Sequence, residues 1–176
     1  MKITSTSLPK TSILHKGIDT YNYTDSFQAE YNDPNNEIDI VDIAKAFFNS
    51  TPKWVDNLLD LRNKIVKIFG LKTTKKVQNR QELLDAFKGE PGEQIAFFKV
   101  YNKSKNEIIM GEDDAHLIFR VSLLVENMQT NETQKQLSIS TTVIFNNKMG
   151  NLYFFPVKPF HKLIVKIMLK AIVKNL

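Results

Sequence analysis

At 176 residues, with 42% hydrophobic and 24% charged content, the chain is long enough to bury a sizeable core and is ordinary in composition for one globular domain. It has no cysteine, which excludes disulfides, thiolate metal sites and a cysteine nucleophile. The net charge of +5 is uneven: no acid follows Glu132, seven lysines give residues 133–176 a charge of +7, and residues 1–132 carry −2.

Residues 1–12 are polar, rich in Ser and Thr, and are expected to form a loose arm of a single domain spanning residues 1–176. They carry no apolar signal-peptide core, and no run of about 18 apolar residues exists to span a bilayer, so a cytoplasmic location is expected. Aromatics recur from Tyr21 to Tyr31 with polar residues between, predicting a first strand around residues 19–30. Asn32-Asp33-Pro34-Asn35-Asn36 is a turn cluster.

Two helices are predicted next. Asp39 can cap the first, whose Ile40, Ile43, Ala44 and Phe47 share one face. The second has Thr51 as cap, Pro52 in its first turn, a stripe at Trp54, Leu58, Leu61, Ile65 and Ile68, and Gly70 past its end. A short helix is expected at residues 81–87, then a loop to Gly92. Beyond Glu93 the period changes to two, predicting an antiparallel meander of strands near 94–102, 107–112, 115–126 and 135–145. In the last of these Leu137, Ile139, Thr141, Val143 and Phe145 alternate with Ser138, Ser140 and Thr142, which predicts one dry face and one solvated face.

A turn at 146–150, a short strand at 151–154 and Pro156 lead to a final helix that opens at Pro159. From Phe160 to Val173 it is apolar apart from His161 and the lysines at 162, 166 and 170, which with Lys174 just beyond wind along one side at about 40° per step. A helix so apolar needs a broad partner. The expected class is therefore α+β, a curved antiparallel sheet wrapped around the long C-terminal helix, with two shorter helices after the first strand. Such a fold encloses a cavity between sheet and helix.

Three stretches carry a family resemblance: Gly111-Glu112-Asp113-Asp114-Ala115-His116-Leu117-Ile118-Phe119-Arg120-Val121-Ser122, Asn146 to Tyr153 with Gly150 inside, and Pro159-Phe160-His161. The chain resembles the START-like (SRPBCC, helix-grip) superfamily, and more closely an uncharacterised bacterial family within it, a domain of unknown function. The resemblance implies a binding module for lipids or small molecules. In that family the position of Ile118 is often an acid, so the polar ladder with His116 and Arg120 lacks its middle member here. Some relatives carry the module behind a dinucleotide-binding reductase, which implies a partner reductase; this chain has no Gly-rich phosphate loop of its own.

The candidate ligand-binding residues are Trp54, Phe97, Tyr101, His116, Phe119, Arg120, Tyr153 and His161. The aromatics are candidate cavity walls, and His116 and Arg120 can orient a polar head if they face the cavity, or pair with Asp113 or Asp114 if they face out. His161, placed in the first turn of the last helix, is expected to pin the helix to the preceding loop. No residues are assigned to catalysis, a metal or a cofactor: Asp113, Asp114 and His116 lack a second ligand set, and no Gly-x-Ser-x-Gly occurs. The partner expected first is a small, largely apolar or amphipathic ligand. The alternatives are a basic helix that contacts an anionic membrane or an acidic protein, and an enzyme built on His116 and Arg120. Specific nucleic-acid recognition is not expected, because the lysines lie on a helix whose other sides need burial.

Overall fold

The computed structural model describes residues 2–50, 80–128 and 131–176. It is a mixed α+β structure with a curved, seven-stranded antiparallel sheet and a long C-terminal helix. The strands are β1 (Thr4–Thr6), β2 (Tyr23–Asn32), β3 (Gln94–Ile95), β4 (Phe98–Lys103), β5 (Glu107–Asp113), β6 (Leu117–Met128) and β7 (Asn131–Phe145), in the order β1-β2-β7-β6-β5-β4-β3. The helices are α1 (Ile40–Asn49), α2 (Arg80–Ala86) and α3 (Lys148–Asn175). The helix expected over Thr51–Gly70, with Trp54, lies outside the described residues.

The meander forms close to where the period-two pattern places it, except that the single strand expected over 94–102 folds back on itself as β3 and β4. Phe27, Ala29, Leu137, Ile139, Val121, Leu123, Ile108 and Met110 all point to one face, where they pack against α1 and α3. Helix α1 begins at Asp39, whose Oδ1 accepts from the amides of Val41 and Asp42, each at 2.8 Å, while the Asp42 carboxylate accepts from the Asp39 amide. Its Ile40, Ile43, Ala44 and Phe47 are buried, as their spacing predicts. Between β3 and β4, Ala96 takes a positive φ of 55°, so the two-residue turn swings Phe97 back over Phe98, and both rings contact Phe119.

Two expectations are overturned on the other face. Residues 4–6 pair with β2 as an edge strand, and the chain then crosses the back of the sheet to β5 and β6 in place of a loose arm. Leu8 and Leu14 pack there on Ile109, and Thr11 donates to Glu126 at 2.7 Å. Ser138, Ser140 and Thr142, expected to be solvated, are at most 1% exposed. Small hydroxyl side chains permit close covering of a sheet face, and Ser26 and Ser140 satisfy each other across the strands at 2.8 Å.

Glu107 latches this strap. It is 2% exposed and accepts from Ser12 Oγ at 2.5 Å, the Ile13 amide at 2.9 Å and Ser122 Oγ at 2.6 Å. Hydrogen bonds to a charged group contribute more than neutral ones, so Glu107→Ala is expected to cost roughly 2 kcal/mol. Hydrogen exchange should show the loss concentrated at residues 8–20; protection there equal to wild type would remove Glu107 from the role of latch.

Helix α3 starts earlier than the sequence predicts, and the short strand expected at 151–154 is helical and part of it. Asn147 caps it, accepting from the Gly150 amide at 3.1 Å, and the helix runs through Pro156 and Pro159. Proline fits the helical φ but removes one N–H donor and leaves the carbonyl four residues back without its partner. Those carbonyls belong to Leu152 and Phe155, which are 66% and 78% exposed, so water can serve them where a buried helix would break.

Candidate functional site

In β2 the residues facing α3 are Tyr23, Asp25, Phe27, Ala29 and Tyr31, so a carboxylate interrupts an otherwise hydrophobic or aromatic row. Antiparallel register puts Asp25 opposite Thr141 and Tyr23 opposite Val143, with Phe119 beyond Val143 on β6. The helix tracks this row: Phe154 packs on Tyr23 at 4.8 Å, His161 meets Asp25, and Lys166 lies 5.1 Å above the Phe27 ring.

These contacts assemble a polar cluster between sheet and helix. The Tyr23 hydroxyl donates to Asp25 Oδ2 at 2.5 Å, and His161 Nε2 lies 3.3 Å from the same oxygen. The Asp25 side chain is only 6% exposed and that of His161 20%. Asp25 Oδ1, Thr141 Oγ1 and His161 Nε2 are enclosed without a well-formed hydrogen bond, although His161 lies within ion-pair distance of Asp25 and both His161 and Thr141 act on its carboxylate. Leu117, Val143, Phe154 and Phe119 supply apolar walls on the Tyr23 side.

Burial pushes the Asp25 carboxyl up, but His161 beside it and hydrogen bonding with Tyr23 and Thr141 more than reverse this and hold it below the usual carboxylate range. Burial first, then the hydrogen bond and charge of Asp25, push the Tyr23 phenol far above its ordinary value. Tyr23 therefore remains a proton donor, and Asp25 remains an ionised acceptor. The arrangement suits a ligand group that donates a hydrogen bond, such as an alcohol, amide or amine.

A pH dependence follows. At the far end of the sheet the buried Asp33 is likewise held low: burial raises it, but Lys135 and the amides of Glu37 and Ile38 outweigh burial. Unfolded aspartates titrate near ~3.9. A carboxyl with a lower value when folded adds stability that is complete above that pH and is lost as pH falls through the folded value. Chemical denaturation should show stability falling below about pH 4, with Asp25→Asn flattening the acid-side slope. An unchanged slope would mean that Asp25 is not held in its ionised form.

Of the candidate residues, the structure brings Phe97, Phe119 and His161 to the helix-bearing face. His161 lies well inside α3 and not in its first turn, because the helix begins at Lys148. Tyr101 and Arg120 lie on the back face. The Arg120 guanidinium covers the Tyr101 ring at 3.5 Å and pairs with Asp113 at 2.6 Å, one of the two acids expected for an outward orientation. His116 sits at the corner before β6, with Nδ1 3.0 Å from Asn147 Oδ1. Trp54 and the Tyr153 side chain lie outside the described residues.

Sequence reading missed Tyr23, Asp25 and Thr141. The available signal was the phase of β2: counting by twos from Tyr23 places Asp25 in the buried row, where an unpaired acid is costly. A groove of about 480 Å³ does open on the structure, but at the β1–β2–β7 edge, among Lys2, Thr4, Gln28, Glu30, Asn32, Gln134 and Gln136. Ala29 and Tyr31 also line it, and it sits at the sheet edge rather than beneath α3, where the cavity was expected.

The pattern of a family described as Protein of unknown function (DUF2867) matches residues 18–168, a span that contains Tyr23, Asp25, Thr141 and His161. No curated protein and no solved structure matches the chain.

Proposed function

The chain belongs to the DUF2867 family, and from that premise we propose that it binds a small, largely apolar ligand between the sheet and α3, with the Asp25–His161 cluster holding the ligand's polar end. The architecture is then of the helix-grip, START-like kind. The observation that carries the reading is a set of three enclosed polar atoms, at Asp25, Thr141 and His161, that face one another amid apolar walls without a well-formed hydrogen bond. Leaving one such group unmet costs about 1–3 kcal/mol. A ligand hydroxyl or amide that donates to Asp25 Oδ1 and accepts from Thr141 would relieve it. What supports a ligand here is the unmet polarity of these atoms, not a measured volume.

The test is a thermal-shift series with medium-chain alcohols, amides and carboxylates of equal chain length. Alcohols and amides are expected to raise Tm, and carboxylates, repelled by Asp25, are not. Asp25→Asn should diminish the alcohol and amide shifts. Equal shifts for all head groups, or none, would contradict the assignment.

A further inference from the structure

The outward face of α3 carries an apolar stripe that is exposed among the described residues. Met149, Leu152, Pro156, Phe160 and Leu163 step by three, four, four and three residues, which keeps them on one side of a helix. They lie opposite the turns that place Phe154, His161, Val165 and Met168 on the sheet. Leu152 is 66% exposed, Phe160 52% and Leu163 51%, while Phe155, beside the stripe, is 78% exposed. Leu163 and Phe160 were expected to be buried; the helix turns them to solvent instead.

Exposed lysines run alongside: Lys158 and Lys166 reach back over the Tyr23 and Phe27 rings, each at 5.1 Å, and Lys162 and Lys170 complete the row. No acid is present anywhere after Glu132 to neutralise it. Isolated exposed apolar residues need no explanation, but a contiguous stripe edged by one sign of charge marks a contact surface.

We propose that this face docks on an anionic membrane surface, the phenylalanine and leucine side chains entering the headgroup–acyl boundary while the lysines engage anionic headgroups. Charge chooses this occupant over a second copy of the chain. A symmetric dimer through α3 would set one lysine row against the other, without acids from this region to offset them. Among the described residues no helix is long and apolar enough to cross a bilayer, so α3 lies on the surface and does not span it. This docking is independent of the ligand site, which lies on the opposite side of the same helix.

The experiment is cosedimentation of the full chain with phosphatidylcholine vesicles, with or without about 30 mol% phosphatidylserine, at low and high salt. Binding is expected only with phosphatidylserine and should weaken as salt rises. Phe155→Ser/Phe160→Ser and Lys162→Gln/Lys170→Gln should each lower partitioning by about tenfold or more. All four positions are exposed, so circular dichroism and Tm should match wild type and separate lost docking from lost folding. Absence of binding at low salt, equal binding to neutral vesicles, or variants that bind like wild type would overturn the proposal. So would a dimer in sedimentation velocity that the phenylalanine variant abolishes, since the stripe would then be a subunit contact.

Discussion

Lys135→Ala is expected to destabilise the fold by about 3–5 kcal/mol, among the largest effects of any single replacement in the described residues. Lys135 Nζ lies 3.0 Å from Asp33 Oδ2, and the two side chains are 7% and 3% exposed. The ammonium also donates to the Asn36 side chain. Asp33 in turn accepts from the amides of Glu37 and Ile38, so the turn before α1 is wound around this carboxylate. Removing the lysine leaves that carboxylate enclosed without a counter-charge, and the expected loss is mostly the cost of the orphaned ion rather than the net strength of the pair. Two consequences separate this account from simple loss of packing. The penalty should shrink toward pH 4, where Asp33 in the variant can take up a proton. Lys135→Met combined with Asp33→Asn should cost less than the sum of the single changes, because neither variant group is then an unpaired ion. Urea denaturation at two pH values reads both; a pH-independent penalty with additive single effects would contradict the electrostatic account.

Gly150→Ala is expected to cost at least about 3 kcal/mol, at or beyond the upper end of ordinary overpacking. A Cβ on Gly150 would come within 2.1 Å of the His116 carbonyl oxygen, a backbone atom with no rotamer to retreat into. That carbonyl also accepts from the Asn146 amide at 2.9 Å. The Asn146 side chain donates to the Asp114 carbonyl at 2.8 Å, and that of Asn147 to Ala115 at 3.2 Å. The start of α3 is therefore clamped onto the corner that precedes β6. Forcing Gly150 away displaces the helix at its root, and with it the register that sets Phe154 on Tyr23 and His161 on Asp25. The variant should lose Tm and the pH response of Asp25 together. A variant with wild-type Tm would show that the corner yields cheaply.

This corner accounts for much of what could be read from the sequence. Residues 114–116 and 146–150 carry the family resemblance, and in the fold they touch. The four meander strands were legible because alternation is a local property, and α1 because Asp39 marks its start. The beginning of α3 was not, since Pro156 and Pro159 signal a break in any helix whose backbone is sheltered, and only three-dimensional exposure shows that these turns are open to water. The strap was hidden for a related reason: Ser and Thr read as solvated until another segment lies on them. Glu107, in a strand, carries no local sign that Ser12 will reach it. Asp25 is the most consequential omission. Its phase within β2 was readable, but its partner His161 lies on the last helix, and no spacing rule joins residues so far apart.

The central claim, that sheet and α3 enclose a ligand whose polar end meets Asp25, is tested most directly by native mass spectrometry of freshly purified wild type and Asp25→Asn. The account predicts a discrete added mass on the wild type that is lost on denaturation and is depleted in the variant. A folded wild type found only at its bare polypeptide mass, and still bare after incubation with medium-chain alcohols and amides, would contradict it.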